Sequence, residues 1–464
     1  MMRKSKRNTD NQTIEKNNSR TIESQKSTAI KRSREVKNTD TENEKTDDKT
    51  TRKKRKISND KEEPLVMPLS CRTDVTSLKK SIFIGAHVSS AGGTQNSVNN
   101  AIHIGGNSFA LFLRSQRKWV SPPLAPLSCE EFKKFCLQHN YDTQKHVLPH
   151  GSYLVNLAQA EQEKAEQAYN CFVDDLHRCE ALGIKLYNFH PGSSGKNPRD
   201  ESIKRIAAQL NKAHKATKTV ITVLENMAGA GNVIGSKWED LRDIIALIED
   251  KSRVGVCLDT CHAFAAGYDI RSPETFKETM DSFSKIIGMS YLKALHLNDS
   301  KAPFASNRDV HANIGTGFIG LRAFHNVVNF PQFQDLPMIL ETPIDRKNSE
   351  GKSIEDKSVW ATEIKLLEGL IDVDPETNEF KAEEKRLQDI GAEERKKFQL
   401  QNDKKKQKTL VSKIKKTKDS KLTRKKAKDE ENSEASDSCC SHQINNIATL
   451  DTVGLHAAII KSNK

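Results

Sequence analysis

Eight short apolar runs recur through the middle of this chain, and they constrain its fold more than any other feature. They cover residues 82–87 (IFIGAH), 107–113 (NSFALFL), 146–150 (HVLPH), 186–190 (LYNFH), 220–225 (VITVLE), 254–259 (VGVCLD), 292–297 (LKALHL) and 338–341 (MILE). Apolar, β-branched stretches of this length are too short for helices and suit strands buried on both faces. Helical patterns fall between them. They include residues 95–104, a helix opened by a capping box of Ser128 and Glu131, and a long stretch from about 158 to 182 that stops at Gly183. Strand and helix alternating at roughly 25 to 45 residues is the cadence of a (β/α)8 barrel. The spacing predicts an α/β fold, a single (β/α)8 TIM barrel over residues 78–371. A doubly wound open sheet is the alternative.

Seven of the eight runs end in, or within one residue of, His, Asp or Glu. Chance is a poor account of this, since the 464 residues include only 14 His and 62 Asp plus Glu. In a barrel the carboxyl ends of the strands converge on one rim, where active sites are built. Gathered there are His150, His190, Glu225, Asp259, His262, His296 and Glu341, and the loop after the seventh run adds Asp309 and His311. Nine nitrogen and oxygen ligands are too many for one tetrahedral zinc, and clustered thiolates for a structural zinc are lacking. Two or three metals would use them. Metals about 3.5–4 Å apart can share a carboxylate and stabilise both the attacking and leaving oxygens of a phosphoryl displacement. Zinc lowers the pKa of bound water from 15.7 to about 7, so no side-chain nucleophile is required.

The net charge of +13 is unevenly spread. Residues 1–77 carry 20 Lys and Arg against 13 Asp and Glu, and residues 371–464 carry 21 against 17, which leaves the middle near +2. Dense charge with little apolar content cannot offset chain entropy, so residues 1–77 and 372–464 read as disordered or charged-helical tails. Within the first, Arg52-Lys53-Lys54-Arg55-Lys56 reads as a nuclear import signal. The second is rich in lysine from Lys404 to Lys428, a stretch that can bind phosphates non-specifically or stand as a solvated helix. Nine scattered Cys residues without paired CxxC motifs point to a reduced intracellular compartment. No apolar run nears the eighteen or so residues of a membrane span, and no signal-peptide core opens the chain. The expectation is a protein that is neither secreted nor membrane-bound.

The segments GAHVSSAGG (85–93), FHPGS (189–193), LEN (224–226), DTCHAFAAGYD (259–269), HLNDSK (296–301) and NRDVH (307–311) together resemble the endonuclease IV family. These are zinc-dependent apurinic/apyrimidinic (AP) endonucleases of DNA repair. The resemblance implies three Zn2+ per chain. His150, His190 and Glu225 would hold the first; Glu225 would bridge to the second, completed by Asp259, His296 and Glu341; His262, Asp309 and His311 would hold the third. Glu225, Asp259 and Glu341 are the implied catalytic carboxylates. The implied reaction hydrolyses the phosphodiester 5′ to an abasic site, leaving a 3′-hydroxyl and a 5′-deoxyribose phosphate, and the family also trims blocked 3′ ends.

The implied partner is double-stranded DNA bearing either lesion, engaged by a monomer in the nucleus, with a mitochondrial fraction left open. Arg117, Tyr153 and Leu154 match the family residues that enter DNA at the lesion, whereas Trp119 reads as packing. Tyr153 and Leu154 could instead cap the barrel core. His87 stands at the rim outside the nine, either beside ligands or substrate or purely structural. Two other readings remain: a metal-dependent sugar isomerase or epimerase on a related barrel, and a non-catalytic DNA-binding barrel, which a missing ligand would have favoured.

Overall fold

The computed structural model describes residues 67–433, with side chains through residue 409. Seven parallel strands form one sheet. In spatial order they are Ser108–Ala110, Phe83–His87, Pro337–Leu340, Leu292–Leu297, Val254–Asp259, Ile221–Glu225 and Leu186–Phe189. The remaining run, residues 146–150, closes the sheet into a barrel through backbone hydrogen bonds. On one side Phe109 N–H donates to His146 C=O and Leu148 N–H to Phe109 C=O; on the other Asn188 N–H donates to Pro149 C=O and Gly151 N–H to Asn188 C=O. Pro149 has no N–H to give a ladder, which is why this stave is held by isolated bridges rather than a continuous strand.

Helices Gln95–His103, Pro126–Gln138, Gln162–Leu182, Arg199–Ala216, Trp238–Leu247, Pro273–Ile286, Leu321–Asn329 and Ser358–Glu368 alternate with the staves. Gly183 ends the long one in the left-handed region, φ 75°, as its position in the sequence predicts. The expected capping box does not form. The second of these helices starts at Pro126, and the Ser128 hydroxyl instead donates to Gln95 Oε1 and accepts from Thr94 N–H. Proline's preset φ opens the helix one turn ahead of the serine. After Asp259 the chain turns into a short helix, Thr260–Ala266, which the Asp259 carboxylate caps by accepting from His262 N–H at 2.7 Å.

Side chains alternate along each stave, and this alternation builds the site. Ala110, Leu148, Leu186, Val223, Cys257, Ala294 and Ile339 are buried together as a small cluster separate from the main core. Two residues further along most of these staves stand His150, Asn188, Glu225, Asp259, His296 and Glu341. An apolar plug thus fills one level of the barrel, and a polar layer sits on it at the carboxyl end.

Two stretches that the sequence reading gives to the tails pack on the barrel. Arg72 donates to Asn107 Oδ1 and lies 4.0 Å over the Tyr141 ring, while Thr73 Oγ1 donates to Glu368. A 56-residue helix, Asn378–Ser433, buries Phe380, Leu387 and Asn402 in its first half. The basic cluster at residues 52–56 lies outside the described residues. All seven described cysteines are free thiols. No described helix is long and apolar enough to cross a membrane.

Candidate metal centre

Glu225 is fully buried at the end of its strand, and four imidazoles surround its carboxylate. His150 Nε2 lies 3.2 Å and His190 Nε2 3.5 Å from Oε2. His262 Nδ1 and His296 Nδ1 each lie 3.2 Å from Oε1. His296 also approaches Glu341 at 3.3 Å. Asp309 spans two more imidazoles, 3.1 Å from His262 Nε2 and 3.1 Å from His311 Nε2. All nine residues of the sequence-derived set are therefore brought together. They form three groups, each with ligand atoms within 4.8 Å of one another: His150, His190 and Glu225; Glu225, Asp259, His296 and Glu341; His262, Asp309 and His311. Glu225 belongs to two of them.

Whether this donor set fits metals is decided by the imidazole tautomers. Nδ1–H of His150 donates to Gly151 C=O at 2.7 Å, that of His262 to Asn226 C=O at 2.8 Å, and that of His311 to Glu341 C=O at 3.2 Å. Each pins its ring so that the Nε2 lone pair faces the cluster, the arrangement metal-binding histidines adopt. Nε2 of His262 and of His311 is buried with no hydrogen-bond partner, so each points a lone pair at Asp309 with nothing to receive it. The residues fit a set of divalent cations. A fourth grouping, Asp259, Cys261 and His311, is weaker, because burial pushes the Cys261 thiol up to about 12.

Electrostatics say the same. Burial alone would raise the Glu225 carboxyl, yet His296, His190 and His150 outweigh it and hold it well below the usual carboxylate range. Burial likewise opposes charge on His262 and His296, but Asp259, Asp309 and Glu225 raise the first, and Cys257, Glu341 and Glu225 the second, well above the ordinary imidazole value. His311 rises to about 9 for the same reason, chiefly through Asp309 and Asp259. Glu225, Asp259 and Glu341, little reached by solvent, with Asp309 beside them, require positive charge, which protons on imidazole or divalent metal can supply.

Sequence reasoning missed three amides. Asn188 Nδ2 donates to Glu225 Oε2 at 2.6 Å. Asn226 accepts from Asp259 N–H at 2.6 Å and donates back to its C=O. Asn298 Nδ2 donates to Asp259 Oδ2 at 2.6 Å, and its Oδ1 accepts from Glu341 N–H at 3.0 Å. Two of them were findable, since Asn188 and Asn298 sit two positions from His190 and His296 and so share their faces. His87 resolves as a neighbour of the cluster: its Nδ1 lies 3.0 Å from Glu341 Oε1.

Tyr153 is 57% exposed and Leu154 37%, so neither caps the core. The Tyr153 ring stands 5.2 Å from His150 and 5.4 Å from His190. Arg117 is exposed on the preceding loop, which Ser152 Oγ ties to the Tyr153 loop by donating to Gln116 C=O at 2.9 Å. Trp119 packs partly buried against the core, as expected. Beside the cluster opens a cavity of about 1080 Å³, lined by His87, Phe112, Lys118, Tyr153, His311 and Glu341 among others.

Residues 98–369 match the family model described as the xylose isomerase-like TIM barrel. A relative from Saccharomyces cerevisiae, apurinic-apyrimidinic endonuclease 1, is 52% identical over 286 residues, which span 62% of this chain and 75% of the relative. The chain belongs to the endonuclease IV family. A second member, apurinic-apyrimidinic endonuclease 1 from Plasmodium berghei, is 51% identical over 287 residues, and there the match spans only 55% of the longer relative. Among solved structures, endonuclease IV from Thermus thermophilus superposes with a TM-score of 0.52 at 29% identity, covering all of that chain and 62% of this one. The family match, residues 98–369, thus falls within the barrel.

Proposed function

We propose that this protein is a zinc-dependent AP endonuclease of base excision repair. It hydrolyses the phosphodiester 5′ to an abasic site in duplex DNA and also trims blocked 3′ ends. The observation that carries the reading is the convergence of nine imidazoles and carboxylates into three groups, two of which share Glu225. His150, His190 and Glu225 would hold one ion, Glu225, Asp259, His296 and Glu341 a second, and His262, Asp309 and His311 a third. When bound, such ions lower the pKa of water and polarise a phosphoryl oxygen.

The chain's own residues supply the rest. Glu225 reaches both groups from one rigid strand end and keeps their spacing. Asn188 and Asn298 hold the carboxylates of Glu225 and Asp259 in place by short hydrogen bonds, and Asn226 holds the Asp259 backbone, so little reorganisation accompanies reaction. Unstacking a nucleotide costs a few kcal/mol and least where its base is gone. Tyr153 and Leu154, both exposed beside the cluster, would enter the duplex as wedges, with Arg117 on the adjoining loop. The protein would work as a monomer in the nucleus, with the basic cluster at residues 52–56 as its import signal.

The test is end-group analysis of a duplex carrying one abasic-site analogue. The expected products are a 3′-hydroxyl and a 5′-deoxyribose phosphate, with Glu225→Gln inactive but folded. A nick on the 3′ side of the lesion, or full activity in Glu225→Gln, would reject the mechanism.

A further inference from the structure

The family match stops at residue 369, yet the helix Asn378–Ser433 continues the folded structure and lands on the loop that carries Asp309 and His311. Its contacts recur at positions 380, 384, 387–388, 391, 394–395, 398 and 401–402, a repeat of three or four residues, so a single face is docked. The far side of that face is the loop itself. Gln388 Nε2 donates to Gly315 C=O at 2.7 Å and Gly317 C=O at 3.1 Å, and Arg395 donates to Thr316 C=O at 2.5 Å. On the other side of the two candidate ligands, the Arg308 guanidinium lies 4.7 Å over the Phe398 ring and donates to Gln401 Oε1 at 3.1 Å. Lys301 pairs with Glu394 at 3.2 Å. The helix thus grips the loop immediately before Asp309 and again four residues after His311.

Glycine makes this approach possible. A Cβ on Gly391 would stand 1.9 Å from Thr316 O, and one on Gly315, where φ is +78°, would stand 2.6 Å from Leu387 Cδ1. Gly391 lies inside a helix, where glycine is disfavoured against alanine. Its presence there makes sense only if the helix must come this close.

We propose that the helix is an added brace, with Gly391, Arg395 and Phe398 as positioning residues that set Asp309 and His311. The proposal rests on the metal reading above, because its consequence is that one of the bound ions depends on a segment outside the family barrel.

The experiment uses the full chain with Gly391→Ala, Arg395→Ala, Arg395→Lys and, as a solvent-face control, Glu393→Ala. In an undocked helix Gly391→Ala would raise the melting temperature; in the docked helix it lowers it. Hydrogen exchange of amides 307–317 should quicken at least tenfold in Gly391→Ala and Arg395→Ala, with strands Val254–Asp259 and Leu292–Leu297 unchanged. With Co2+ as probe metal, both variants should alter the visible spectrum and release one equivalent to chelator at least tenfold faster, and Arg395→Lys should restore both. Glu393→Ala should match the parent throughout.

A raised melting temperature in Gly391→Ala, or parental loop exchange in Arg395→Ala, overturns the brace; the arginine variant decides should the glycine variant not fold. A parent chain that binds no Co2+ would reject the metal reading, while loop exchange still judges the docking.

Discussion

Asn188, Asn226 and Asn298 carry no charge, yet each holds a carboxylate of the cluster or the backbone beside one. Groups that orient metal ligands in this way typically matter about 10–100-fold in metal affinity or activity. Asn298→Ala should therefore lower one or the other by about that factor, read by metal titration and nicking rate, and an unaltered protein would remove the amide from the account. Glu363 acts at the same scale but away from the ligands. Buried under the turn after His311, it accepts from Ile314 N–H at 2.8 Å and from Asn313 Nδ2 at 3.1 Å, and Thr342 Oγ1 donates to its second oxygen.

Burial pushes the Glu363 carboxyl up to about 7, from an ordinary 4.5, against the pull of those donors and Arg346. A carboxyl that keeps its proton longer when folded lends stability that is complete below about 4.5 and lost as pH rises through about 7. That loss amounts to roughly 3 kcal/mol at 1.36 kcal/mol per pH unit. Thermal melts of Glu363→Gln should show less destabilisation than the parent between those limits, and parallel profiles would contradict the assignment.

At the scale of elements, the staves were legible because a strand buried on both faces leaves an apolar run that no helix would cut so short. The ligand positions were legible for a related reason: a polar residue closing a buried run marks the rim. What escaped was set by contacts distant in sequence. Ser128 bonds Gln95 and Thr94 rather than capping its helix. The charged helix allowed for the second tail is Asn378–Ser433, but its docking was masked, since its docked face mixes Phe380, Leu387 and Phe398 with Gly391, Gln388 and Arg395. The loop of Tyr153 bears the remaining prediction here. Tyr153→Ala should weaken binding to abasic duplex by more than binding to intact duplex, measured by titration at fixed salt, whereas equal losses would end the wedge role.

For the whole molecule, the barrel reads as one device with an apolar plug below and a polar layer above, extended by sequence at both ends. Because Arg72 and Thr73 belong to the folded body, the informative deletion is residues 1–66 rather than 1–77. Removing 1–66 should shift the protein from nucleus to cytoplasm without changing its melting temperature, and unchanged nuclear staining would dismiss the import signal. The central claim is that three groups of ligands hold three ions and that these cleave DNA at abasic sites. Metal analysis of the purified chain, paired with a nicking assay on a duplex containing an abasic-site analogue in EDTA, tests it most directly. Close to three zinc per chain with nicking that survives the chelator is the predicted result; a single metal per chain, or sugar isomerisation without nicking, would contradict it.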